Sequence, residues 1–171
     1  MNLGLPEQLK SAFADTKSKM TITSEERHLV TDQTIKDPYW LAGFTDGDGS
    51  FGVKINKSSS NKIGYQVYLQ FDIVQHVRDT ILLKSFTEYL NCGKIYLHSD
   101  NAIVFTVTKF SDIHEIIIPF FKKHPIPGAK SQDFNDFCLV VELIKNKAHL
   151  TEEGLDQIRH IKTRMNTGRR F

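Results

Sequence analysis

Two acids one residue apart, Asp46 and Asp48, close the segment Tyr39–Gly49, YWLAGFTDGDG. The segment starts apolar and ends in a Gly/Asp cluster, the pattern of a helix of two to three turns that stops at its acids. A carboxylate there faces the negative end of the helix dipole, which disfavours it by about 0.3–1 kcal/mol. A divalent cation would relieve that repulsion. Magnesium needs only one or two protein carboxylates, because waters and phosphate oxygens complete its shell. The same acids would equally serve as caps or solvated members of a DGDG turn.

Gly43 and Gly47 lie four residues apart, so they share one face of this helix. Glycine in a helix costs about 1 kcal/mol relative to alanine. A second helix packed backbone to backbone would offset that penalty, with Leu41 and Phe44 turned to the subunit core. If the second helix is a copy of the first, a two-fold axis brings two Asp48 carboxylates together, the arrangement that two-metal phosphodiester hydrolysis needs. The expected assembly is therefore a homodimer with Gly43 and Gly47 at its interface.

The elements that must position this segment follow it. Phe51, Val53 and Ile55 alternate with Gly52, Lys54 and Asn56, and Val67, Leu69, Phe71 and Ile73 alternate with Gln66, Tyr68, Gln70 and Asp72. Period-two alternation marks strands with one buried and one wet face. A helix is expected over Arg78–Leu90, then strands in which Lys94, Tyr96 and His98 oppose Ile95 and Leu97, and Val104, Thr106 and Thr108 oppose Ile103, Phe105 and Val107. Ser111 is expected to cap a helix that Pro119 kinks or ends. Amphipathic helices are expected over Gln132–Lys147 and Glu152–Asn166. The order helix, hairpin, helix, hairpin, helices predicts an α+β fold with an antiparallel sheet.

Composition excludes several classes. A chain of 171 residues that is 40% hydrophobic and 25% charged is globular rather than disordered. No stretch reaches the ~18–20 apolar residues of a membrane helix, and MNLGLPEQLK lacks a signal-peptide apolar region, so no membrane partner is expected. The two cysteines, Cys92 and Cys138, are isolated in apolar company, and no two histidines have ligand-like spacing, which disfavours zinc. Residues 1–37 read as an arm or connector and 38–171 as the folded domain. Residues 159–171 hold five basic residues and no acid, a candidate polyanion patch or a solvated helix face.

LAGFTDGDG resembles the signature of the LAGLIDADG homing endonucleases, matching at Leu41, Ala42, Gly43, Asp46, Asp48 and Gly49. The resemblance covers about residues 38–171 and includes the element order. It implies four antiparallel strands that bind DNA, helices covering their other face, and the motif helix at a two-fold interface. It further implies that Asp48 binds the metal, assisted by the carbonyl of Gly49. FDIVQH resembles the family's second-strand end, giving Gln75 as a catalytic residue beside Asp48. IPGAKSQDF resembles the loop that carries a catalytic lysine, giving Lys130.

Under that resemblance the wet face becomes the DNA reader: Lys54, Asn56, Gln66, Tyr68, Gln70, Asp72, Lys94, Tyr96, His98, Thr106 and Thr108. Gln, Lys and Asp suit adenine, guanine and cytosine edges in the major groove. The implied function is magnesium-dependent (Mg2+), site-specific cleavage of double-stranded DNA at a long near-palindromic site, with water as nucleophile. An organellar, mitochondrial intron origin is implied as well. Family members carry two motifs in one chain or one motif and dimerise. This chain has one motif and its first 37 residues look like the connector of a two-motif enzyme, so it resembles the C-terminal half of a two-motif member. An RNA maturase, using the tail HIKTRMNTGRR, and a catalytically silent DNA-binding half-domain are the alternatives.

Overall fold

In the computed structural model, residues 35–169 are described. The expected arm, residues 1–37, lies outside the described residues except for its last three. Helix α1 spans Pro38–Asp48. Asp37 caps it by accepting the Tyr39 amide at 2.8 Å, and Pro38 follows at the first helical position, where no amide hydrogen is needed. The helix passes into strand β1 (Gly49–Lys57) without a loop. Only glycine fits the junction, since a Cβ on Gly49 would lie 2.7 Å from the Thr45 carbonyl oxygen.

Strand β2 (Tyr65–His76) returns antiparallel to β1, helix α2 (Thr80–Leu90) crosses over, and β3 (Lys94–Ser99) and β4 (Ala102–Val107) complete the sheet in the order β1-β2-β4-β3. Phe51 pairs with Phe71, Phe71 with Val107, and Ile95 with Phe105, so the odd-numbered residues of all four strands share the face covered by helices. The alternation expected from the sequence holds through β1 and β2.

It fails locally in two places. The β3–β4 register shifts between Leu97 and Ser99, so His98 is not assigned a face by alternation. Strand β4 ends at Val107, which leaves Thr108 beyond the sheet.

Helix α3 is continuous through three segments, Phe110–Asp112, the π-helical Ile113–Ile117, and Ile118–Lys123. Ser111 is not the cap. Lys109 occupies the cap position, while Ser111 donates only to the neighbouring Asp112 carboxylate. Pro119 does not end the helix. The Ile118 amide reaches back five residues to Ile113, and this wider turn accommodates the proline ring one position later. Helices α4 (Lys130–Lys145) and α5 (Glu152–Thr163) close the layer.

The core is aromatic. Phe51 stacks on Phe71 with centroids 5.1 Å apart and meets Phe121, Phe134 and Phe137 on its other sides. Phe86, from α2, packs edge-on against Phe105 and Phe44. Each fully buried Phe contributes about 2–3 kcal/mol of apolar burial. Together they anchor α1, α2 and α4 to the sheet that carries the polar face.

Candidate functional site

The site forms where α1 runs into β1. Asp48, the last residue of α1, is exposed, and Asp46 is half-buried. The loop before α4 comes close enough to Asp46 that a Cβ on Gly128 would collide with its carboxylate. That approach sets where α4 begins. Its first residue, Lys130, donates from Nζ to the Gly47 carbonyl at 3.1 Å. The lysine thus stabilises an otherwise unpaired carbonyl at the negative end of α1, one residue from Asp48. Residues 83 positions apart in sequence are brought together. A cleft of about 450 Å³ opens beside them, lined by Asp46, Gly49, Lys130, Asp133, Asn166 and Thr167.

Gln75 lies at the same end of the sheet. Gly49 pairs with Ile73, so Gln75 extends β2 past the α1–β1 junction, on the odd-numbered face and half-buried. Among the described residues no His, Cys, Asp or Glu cluster of three or more forms a metal cage. One exposed carboxylate beside backbone carbonyls, at a negative helix end, nevertheless fits a hard cation that keeps most of its water.

Gly43 and Gly47 are exposed on one face of α1, and a Cβ added to either meets no atom within 4 Å. Nothing within the described subunit therefore requires glycine there. Near the start of the helix, Tyr39 and Trp40 are 60% and 44% exposed.

The even-numbered sheet face carries most of the predicted readers. Lys54 stands opposite Tyr68, Asn56 opposite Gln66, and Asp72 between Ser50 and Thr106. Neighbours along β2 are tied in pairs, Tyr68 Oη donating to Gln66 at 2.6 Å and Gln70 Nε2 to Asp72 at 2.6 Å. Lys94 and Tyr96 extend this face along β3, opposite Thr106 and Val104. Thr106 itself is buried, with its hydroxyl unpaired among the described residues. Val74 and Val104 also lie on this face as a directly opposed pair, an apolar element that the polar pattern did not reveal.

Arg159, Arg164 and Arg169 of the basic tail are paired with acids. Arg164 donates to Asp136 from Nε at 3.0 Å and Nη2 at 2.8 Å. Arg169 donates to Asp133 from Nε at 3.0 Å and Nη2 at 2.9 Å, and to Asp136 at 2.7 Å. Burial raises the Asp136 pKa, but hydrogen bonds from Arg164 and Arg169 outweigh it and hold the carboxyl below its ordinary range. Arg159 is paired with Asp156 and lies 4.6 Å over the Tyr65 ring. The sequence signal for this clamp was two acids three residues apart on α4 facing a tail without acids.

Fold and site together define a LAGLIDADG endonuclease unit. Residues 41–141 match the LAGLIDADG endonuclease family model, and the chain belongs to that family. It is 44% identical to the I-SmaMI LAGLIDADG homing endonuclease bound to cleaved DNA, with a TM-score of 0.81 over 99% of this chain and 55% of that one. I-TnaI, a homing endonuclease, is 36% identical with a TM-score of 0.75 over 77% of this chain and 89% of its own. A Neurospora crassa protein named "Probable intron-encoded endonuclease 3" is 40% identical over 92% of this chain and 29% of its own length. The chain thus spans about a third of that relative and about half of I-SmaMI. I-SmaMI has also been solved on uncleaved DNA in the presence of calcium ions, consistent with the divalent metals these endonucleases use.

Proposed function

We propose that the chain is one catalytic half of a site-specific double-stranded DNA endonuclease, completed by a second copy packed on the Gly43–Gly47 face. The observation that carries this reading is the Lys130 ammonium held 3.1 Å from the Gly47 carbonyl, which delivers a cation to the acid end of the motif helix. The even-numbered sheet face would lie in the major groove, β2 being 12 residues long and so about 40 Å, near one turn of duplex.

Magnesium, held by Asp48 with the Gly49 carbonyl, would supply Lewis acidity toward the phosphate and lower the pKa of a bound water. Gln75 orients the attacking water through its neutral amide. Lys130 places positive charge where the phosphoryl oxygens gain negative charge. The protein supplies no covalent nucleophile, so water attacks. Two Asp48 sites related by a two-fold axis cut both strands of a near-palindromic target. Several relatives are named for introns, among them an ND4 intron product of Podospora anserina, and a mitochondrial intron origin is the matching reading. Against the maturase alternative stands the pairing of Arg164 and Arg169, both in the tail HIKTRMNTGRR, with Asp136 and Asp133.

The test is cleavage of duplexes selected from a randomised near-palindromic library with magnesium. Asp48→Asn removes the metal ligand at constant size and should abolish cleavage while DNA binding persists. Cleavage retained by that variant would refute the assignment.

A further inference from the structure

Lys130 and Asp133 stand three residues apart in the first turn of α4 and line the same cleft. At that spacing a lysine and an acid on a helix surface pair with each other. Here they do not. The Asp133 side chain, only 11% exposed, is charge-paired with Arg169: its Oδ1 accepts from the Asn166 amide at 3.0 Å and from Arg169 Nε and Nη2 at 3.0 and 2.9 Å. Arg169 is itself 12% exposed and also holds Asp136 and, through Nη1, Gln132. Asn166 ties this strap to the sheet by donating from Nδ2 to the Phe51 carbonyl at 2.9 Å. The two arginines balance the two buried acids, which leaves Lys130 directed at Gly47.

We infer that Arg169 is a positioning residue for the reaction, occupying Asp133 so that the Lys130 ammonium stays at the motif helix and available to the DNA phosphate. This rests on the nuclease reading above. Without Arg169, Asp133 becomes an uncompensated carboxylate beside Lys130, able to draw the ammonium off Gly47 and to repel an approaching phosphate. Asp46 and Asp48 are the other acids at this end of α1. The Gly128 loop passes so close to the Asp46 carboxylate that no side chain fits there, whereas Asp133 is the acid that Arg169 contacts.

The test compares Arg169→Gln, Asp133→Asn and the double variant in the full chain. Arg169→Gln should slow single-turnover cleavage by about tenfold while the DNA dissociation constant changes less than about threefold. Adding Asp133→Asn should restore most of the rate, because no free carboxylate remains to capture the lysine. In parallel, the 15Nζ resonance of Lys130 should shift in Arg169→Gln and return in the double variant, a readout that needs no cleavage. Failure of Asp133→Asn to restore both rate and resonance would overturn the inference and leave the strap as mere scaffolding. An unchanged rate in Lys130→Met would instead refute the nuclease role of the lysine, while the resonance still decides whether Arg169 governs it.

Discussion

Replacing both open-face glycines of α1, Gly43→Ala with Gly47→Ala, should affect the subunit and its assembly in opposite directions. Within the subunit a methyl group at either position meets no atom within 4 Å, so no clash opposes the gain in helix propensity. Alanine is better than glycine by about 1 kcal/mol in a helix interior. Gly43 is interior, whereas Gly47 sits one residue from the helix end, so the pair should contribute about 1–2 kcal/mol. For a chain of this size that raises the melting temperature by roughly 2–8 °C. Two helices packed glycine to glycine have no room for four added methyl groups, and association should weaken. Scanning calorimetry in dilute solution reads the first effect and sedimentation velocity at micromolar concentration the second. Unchanged association together with a higher melting temperature would refute the helix-pairing argument. A wild-type chain that stays monomeric with and without DNA would do the same.

Lys130→Met should slow the chemical step by roughly 10²–10³-fold with little loss of DNA affinity, measured under single-turnover conditions. The Asp136 pKa is depressed in the folded chain, so the stability it contributes is full above the ordinary carboxylate range near pH 4. That contribution is lost as pH falls through the lower folded value. Urea midpoints should drop across that window. Asp136→Asn should flatten the dependence and lower stability at neutral pH by about 3 kcal/mol. Burial pushes both the Cys92 and Cys138 thiols up to about 11, so neither should react with a thiol reagent at pH 8 until the chain unfolds. Rapid labelling of Cys92 in the folded protein would contradict its burial.

What the residues disclosed in advance depended on the range of the forces involved. The faces of β1 and β2 were readable because alternation is local and half-burial enforces it from one residue to the next. The end of α1 is readable because its apolar run closes in a Gly/Asp cluster, and the helix stops at Asp48 before Gly49. Lys130 was different. Its loop looks like solvated surface, and only resemblance to a family pointed to a meeting with Gly47. The Arg169–Asp133 pair was misread as free basic tail, because residues 36 positions apart are joined only by tertiary packing. Pro119 does not end its helix, because a π turn just before it accommodates a ring that a regular α-helix would not. Alternation puts His98 on the reader face, and the register shift that removes that assignment leaves no hydrophobic trace in the sequence.

The absence of any loop between α1 and β1 makes the two elements one mechanical part. Strand β1 has nine residues, so its far end stands about 30 Å from the junction. A tilt of α1 by about 5° would swing the tip of an unbent strand, at Lys57, by roughly 2–3 Å, and Lys54 and Asn56 by proportionately less. That displacement approaches the 3.4 Å rise of one base pair along a DNA strand. Whatever seats α1 therefore also sets which step of the duplex the strand tip addresses, so an exchange of the helix face without its strand would put the reader out of register with its text.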